Sequence, residues 1–184
     1  MEIATAAVRG GADVVQLRHK SMPRGELLEV AKRLRASLEG VLFLVNDFVD
    51  IALLSEADGV HLGPDDLSVA SARRVAGDRL VIGASASTLE RAREAVAQGA
   101  DYLGCGPAFA TPIKAEKRVL GPEGIAAIAR RIDVPVFAIG GIDASNVAQL
   151  TAAGLHRVCV IRAVGDAADP EKATRELRAM LSAT

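Results

Sequence analysis

A phrase built on Gly-Ala-Asp and a short apolar run returns along this chain, and its spacing restricts the folds open to it. It reads Gly11-Ala12-Asp13-Val14-Val15-Gln16-Leu17, then Glu56-Ala57-Asp58-Gly59-Val60-His61-Leu62, then Gly99-Ala100-Asp101-Tyr102-Leu103-Gly104, and more loosely Gly154-Leu155-His156-Arg157-Val158-Cys159-Val160. In each, a helical pattern stops at a small residue or a glycine, and a strand pattern follows. Three further apolar runs, Val41–Val45, Leu80–Gly83 and Val134–Ile139, lie between the copies. Helical patterns fill the gaps at roughly 24–38, 48–55, 69–76, 88–98, 123–131, 145–153 and 170–182. Strands alternating with helices imply βαβ units and a parallel sheet, whose strands, buried on both faces, read as continuous apolar runs. The repeat covers two βα units each time, the half-step of a barrel in which alternate strands fill alternate core layers.

The chain therefore reads as an α/β fold, a (β/α)8 TIM barrel occupying residues 1–184 as one domain, with a doubly wound open sheet as the alternative. The strand count is seven. Before Gly11 there is only a short helical pattern, Met1–Arg9, so the barrel is expected to lack its first β-strand at the N-terminus. A length of 184 also falls below the usual range for this barrel. The edge left behind needs a cover. Another segment or a second chain would supply it, which admits a homo-oligomer.

Aromatic residues make up only 3% of a chain that is 50% hydrophobic, so the core must be aliphatic. Lys+Arg is 22 against Asp+Glu 23, and the net charge of −1 gives no general attraction to nucleic acid or to a membrane surface. Cys105 and Cys159 are far apart and read as buried thiols of a cytoplasmic protein. No signal-like start or long apolar stretch appears.

The strand exits are polar almost without exception: Gln16, Arg18 and Lys20; Asn46 and Asp47; Asp65 and Asp66; Ser85; Gly140 and Gly141; Arg162. In such barrels chemistry gathers at that end. Taken singly, each has a dull explanation: an Asp here caps the following helix, and a Gly-Gly serves a turn. The long stretch 104–124, GCGPAFATPIKAEKRVLGPEG, follows the fifth strand and has neither helical nor strand period. Its three prolines, its glycines, Thr111, and the cations Lys114, Lys117 and Arg118 suit a loop closing over an anion; the alternative is a solvated surface excursion. Arg18, Lys20 and Lys114 offer charge for a diphosphate-sized anion. Asp47 and Asp66 would repel that anion unless a cation stood between, and Mg2+ commonly takes one or two carboxylates plus phosphates and water. His19, His61 and His156 fall on different units and read as structural.

These motifs together resemble the thiamine-phosphate synthase (thiamine-phosphate pyrophosphorylase) and thiazole tautomerase superfamily. The matching stretches are Gln16-Leu17-Arg18-His19-Lys20, Asn46-Asp47, Gly59 to Asp66, Ile82-Gly83-Ala84-Ser85, Gly104 to Lys114 and Ala138-Ile139-Gly140-Gly141-Ile142. The resemblance implies a transferase of thiamine biosynthesis that joins a hydroxymethylpyrimidine diphosphate to a thiazole phosphate and releases pyrophosphate, with small phosphorylated substrates as its partners. It implies that Gln16, Arg18, Lys20, Asn46, Ser85 and Lys114 hold the pyrimidine diphosphate, with Ser85, Lys114, Arg18 and Lys20 catalytic. Asp47 and Asp66 would bind Mg2+. Thr111, Ile113, Gly141, Ile161 and Arg162 would line the thiazole-phosphate side. Ser85 would orient the pyrimidine ring, with no adjacent His to make it a nucleophile. Departures are Phe48 where the family has Arg, Ile113 where it has Thr, and Arg162 where it has Ser. The rival readings are the tautomerase branch, which tends to lose the equivalents of Asp66 and Lys20, and a non-catalytic phosphometabolite-binding or regulatory relative.

Overall fold

A computed structural model describes residues 1–110 and 118–182. It contains seven strands: β1 (Val14–Leu17), β2 (Leu42–Asn46), β3 (Gly59–Leu62), β4 (Val81–Ala86), β5 (Tyr102–Cys105), β6 (Val136–Ile139) and β7 (Val158–Cys159). They pair in sequence order and in parallel throughout, giving one curled sheet. The expected barrel short of one strand is what forms. Its outer edges are β1, half-buried along its length, and β7, where Cys159 is exposed. The expectation of two buried thiols therefore holds only for Cys105, because β7 has no strand on its far side among the described residues. Burial pushes the Cys105 thiol up to about 11, which leaves it protonated and inert.

The helices are α1 (Glu2–Arg9), α2 (Arg24–Ser37), α3 (Val49–Leu54), α4 (Val69–Ala76), α5 (Leu89–Ala97), α6 (Gly121–Ala129), α7 (Val147–Ala152), α8 (Arg162–Gly165) and α9 (Pro170–Ser182). The one-turn α8 has too few residues to show a period, and the sequence reading missed it. α4 and α5 start at Ser68 and Thr88, whose hydroxyls accept the N–H of Ser71 and Arg91. One residue set on the strands, Phe43, Val45, Val60, Leu62, Ile82 and Leu103, is nearly or fully buried and belongs to one largely aliphatic cluster with Leu27, Ala31, Ala52, Ala72, Ala92 and Ile125 of the helices. Small alanines on the helices bring them close to the sheet, which compensates for the scarcity of aromatics.

The repeated aspartate has a structural job at the N-terminal pole. Asp58 leads into β3; its N–H donates to the Phe43 carbonyl at 2.8 Å, and its Oδ2 accepts the Phe43 N–H at 2.7 Å. Asp101 leads into β5 and does the same to Ile82 of β4, at 2.8 and 2.7 Å. Each carboxylate is held by an arginine from the helix that feeds the clamped strand, Arg35 at 2.9 Å and Arg73 at 2.6 Å. Asp13 stands at the same place before β1, has no strand on that side among the described residues, and pairs with Arg178 of α9 at 2.8 Å.

Candidate active site at the C-terminal rim

The period of two along a strand sends alternate residues inward, and the register decides which ones meet. Asn46 of β2 lies opposite His61 of β3, and Ser85 of β4 opposite Gly104 of β5. Gln16 of β1 pairs in register with Leu44 and is half-buried. Asn46 is only 8% exposed, an unusual position for an amide unless it serves the interior.

Past β2 the chain turns sharply. Asp47 continues the ladder, its N–H donating to the His61 carbonyl at 2.8 Å, but its φ of +69° lies in the left-handed region. Such a conformation costs an L-residue about 1–2 kcal/mol, and Asp and Asn tolerate it best. The carboxylate so placed is 7% exposed and accepts from Lys20 Nζ at 2.5 Å. Asp66 reaches the same point from the loop after β3. Its Oδ2 accepts the Gly63 N–H at 2.7 Å, and a Cβ on Gly63 would come within 2.8 Å of that oxygen, so the turn needs a glycine there.

The Asp47 and Asp66 carboxyl groups stand close enough for each to shift the other's titration. Burial raises the Asp66 carboxyl, and the neighbouring Asp47 adds to the rise, more than the Gly63 N–H offsets. For Asp47 burial also pushes upward, but the adjacent Asp66 carboxyl, the hydrogen bond from Lys20 and the positive charges of Lys20 and Arg18 outweigh it, and the carboxyl ends below its ordinary value. Four of the expected residues, Arg18, Lys20, Asp47 and Asp66, therefore act on one another. Asp65, next to Asp66, is exposed.

Phe48 stands where a cation was expected, and the Arg24 guanidinium lies over its ring at 4.9 Å, held by an ion pair with Asp50. Positive charge thus returns to this corner from the first turn of α2.

The reading of all three histidines as structural fits two. His19 Nδ1 accepts the Met22 N–H at 2.9 Å, and His156 Nδ1 contacts the Leu181 carbonyl at 3.0 Å. His61 is different. Its Nε2 is 3.0 Å from Ser85 Oγ and its Nδ1 3.0 Å from the Tyr102 hydroxyl. Ser85 does have a histidine beside it, which corrects the sequence reading.

Across the rim, Gly140 and Gly141 follow β6 with φ of +95° and +68°. A Cβ at Gly140 would strike Pro107 at 2.8 Å, and one at Gly141 the Phe109 and Ala110 carbonyl oxygens at 2.8 Å. These glycines let the root of the 104–124 stretch dock on β6. Asn146 fastens the turn from the other side, donating to the Gly141 carbonyl at 2.8 Å. Ile161, 58% exposed, and Arg162 follow β7 at the head of α8. The strands β4 and β5 separate this side from the Asp47 group. Thr111, Ile113, Lys114 and Lys117 lie outside the described residues.

The family model for thiamine monophosphate synthase matches residues 1–164. The chain belongs to this family. A thiamine-phosphate synthase of Anaeromyxobacter dehalogenans is 48% identical over 98% of this chain and 82% of its own length. Another, of Gloeobacter violaceus, is 47% identical over 95% of this chain. The chain spans about half the length of that relative, 52%. Among solved structures, the thiamine phosphate pyrophosphorylase of Pyrococcus furiosus superposes with a TM-score of 0.92 at 42% identity, covering 98% of this chain and 88% of the other. Among the described residues, no helix is long and apolar enough to cross a membrane.

Proposed function

We propose that this family member is a thiamine-phosphate synthase, condensing 4-amino-2-methyl-5-hydroxymethylpyrimidine diphosphate with thiazole phosphate to give thiamine phosphate and pyrophosphate. The observation that carries this reading is the contact of Asp47, Asp66 and Lys20 beside Arg18. Two carboxylates alone would repel a diphosphate, and two cations alone would not need them.

The oxygen-only donor pair fits Mg2+. Among the described residues no three His, Cys, Asp or Glu side chains gather as a closed metal cage. An open pair that leaves coordination for substrate phosphates and water is the usual arrangement for this ion. Bound there, magnesium would neutralise charge on the diphosphate.

The chain's own groups do the rest. Arg18 and Lys20, with Lys114, hold the diphosphate and stabilise the charge it gains as the methylene–oxygen bond breaks. Gln16, Asn46 and Ser85 hold the pyrimidine, whose methylene becomes electron-poor and is captured by the thiazole as the new bond forms. Thr111, Ile113, Gly141, Ile161 and Arg162 line the thiazole-phosphate side. Water must be kept out, since it would capture the same carbon. The substrates are small cytoplasmic metabolites, and neither nucleic acid nor membrane enters the reaction.

Mixing both substrates with the protein should release pyrophosphate only when Mg2+ is present. Conversion of a thiazole phosphate alone, without metal, would mark a tautomerase instead. Binding of either phosphate compound without turnover would mark a non-catalytic relative.

A further inference from the structure

The interior of the sheet holds a polar chain of which the reaction above uses only the Ser85 end. Tyr102 of β5, His61 of β3 and Ser85 of β4 are joined by two contacts of 3.0 Å, one at each imidazole nitrogen. The fold makes room for it. A Cβ on Gly83 would sit 2.0 Å from Tyr102 Cζ, and one on Gly104 would sit 3.1 Å from His61 Cε1. Phe137 meets the Tyr102 ring edge-on at a centroid distance of 5.5 Å and limits its swing.

We propose that His61, oriented by Tyr102, is a positioning residue that makes the Ser85 hydroxyl a hydrogen-bond donor to an acceptor nitrogen of the bound pyrimidine; this rests on the synthase reading, in which Ser85 holds that ring. The direction follows from counting protons. A neutral imidazole donates from one nitrogen and accepts at the other. Among the described residues His61 Nδ1 is the hydrogen-bond partner of the Tyr102 hydroxyl, so the phenol proton belongs on that contact. Nδ1 then accepts, Nε2 carries the ring proton, and Nε2–H donates to Ser85 Oγ. The Ser85 O–H is thereby turned away from His61 and aimed at a ligand. The opposite arrangement would strand the phenol proton in a site where burial already keeps the hydroxyl protonated.

The test combines kinetics with a spectroscopic readout. In the metal-containing assay, Ser85→Ala should lower kcat/KM by about 10- to 100-fold, the range for one hydrogen bond to a polar group in a closed site. His61→Asn, which lacks a group at the Nε2 position, should lose a similar factor. His61→Gln, which keeps a donor there, should recover most of it. The double variant Ser85→Ala/His61→Asn should be no slower than Ser85→Ala alone. Multiplying losses in the double variant would overturn the proposal, because His61 would then act independently of Ser85. Should His61→Asn fail to fold, Tyr102→Phe carries the test: nitrogen NMR of the imidazole should show the Nε2–H tautomer in the parent and a shift toward Nδ1–H in the variant. An Nδ1–H parent would refute the proposal. A Ser85→Ala protein with parental kinetics, by contrast, would remove Ser85 from the synthase reading itself.

Discussion

Asp47 accepts from Lys20 Nζ at 2.5 Å and stands beside Asp66, whose carboxyl it pushes upward. Burial and the neighbouring Asp47 raise Asp66 while Asp47 is held low, so Asp66 is the one that takes up a proton first as pH falls. A cation entering the pair must displace that proton, so Mg2+ affinity should fall as pH falls through the raised Asp66 value.

Asp66→Asn separates the two roles of this pair. The amide oxygen can still accept the Gly63 N–H, and the amide nitrogen can donate to Asp47. A group whose folded pKa is raised loses stabilising weight as pH climbs from the ordinary value of 3.8 through the folded one. The variant lacks that loss. Its metal-free melting temperature should therefore equal the parent's in acid and exceed it at pH 8, while its Mg2+ titration weakens at least tenfold. Calorimetry at two pH values, with a metal titration of pyrophosphate release, checks both halves. A variant less stable than the parent at pH 8 would contradict the raised Asp66 carboxyl.

At the opposite pole, Asp58→Ala should cost stability and leave kinetics alone. The carboxylate accepts the N–H of fully buried Phe43 at 2.7 Å and holds Arg35. Truncation leaves a buried backbone donor without its acceptor, which costs about 1–3 kcal/mol. Urea unfolding should show that drop with KM and kcat unchanged. Asp58→Asn, which keeps one acceptor oxygen, should recover part of it.

This aspartate also shows what could be read beforehand and what could not. The repeat gave the parallel sheet and the seven strands because helix stops and apolar runs are local signals. It concealed its own function. Phe43 bonds Asp58 from 15 positions away, and only strand register brings them together. Asp47 and Asp66 could be grouped beforehand because both sit at strand exits, where barrel topology forces convergence. Ser85 could be grouped with the strand exits, but His61 lies within a strand and looks like an ordinary polar interruption, so their contact was hidden. Alternation could have put each on the same face as a neighbouring glycine, Gly59 and Gly83, a hint of an open interior. Which serine met which histidine needed the pairing of β3 with β4.

The clasp between the chain's two ends should loosen in acid. Glu171 of α9 accepts from Arg9 of α1 at 2.8 Å and from Arg175 at 2.6 Å. The Arg9 hydrogen bond, only partly opposed by desolvation and aided by Arg175, holds the Glu171 carboxyl below its ordinary value. For a depressed carboxyl, the stabilising contribution is complete above the unfolded value of 4.5 and disappears as pH falls through the folded one. Hydrogen exchange of the α1 amides, corrected for the intrinsic pH dependence, should accelerate below that window. Glu171→Gln should show the faster rate already at neutral pH and no further acid response. Equal α1 protection in parent and variant at pH 7 would exclude the clasp.

Gly83→Ala tests whether the interior is as tightly fitted around Tyr102 as the contacts imply. Replacing glycine in a strand ordinarily helps, by about 0.4–1 kcal/mol, because the unfolded chain loses freedom. Here the added methyl would lie 2.0 Å from Tyr102 Cζ and 2.4 Å from its hydroxyl oxygen. The ring cannot simply step aside, with His61 bonded to its hydroxyl and Phe137 against its edge. Overpacking of this kind costs about 1–3 kcal/mol, so the clash should win. Gly83→Ala alone should lower the unfolding free energy, and displacing Tyr102 should also slow turnover. In a Tyr102→Leu background the obstacle is gone, and the same alanine should become neutral or mildly stabilising. That reversal of sign, read by urea unfolding of the four proteins of the cycle, ties the effect to the ring; an alanine equally harmful in both backgrounds would trace the requirement for glycine to something other than Tyr102.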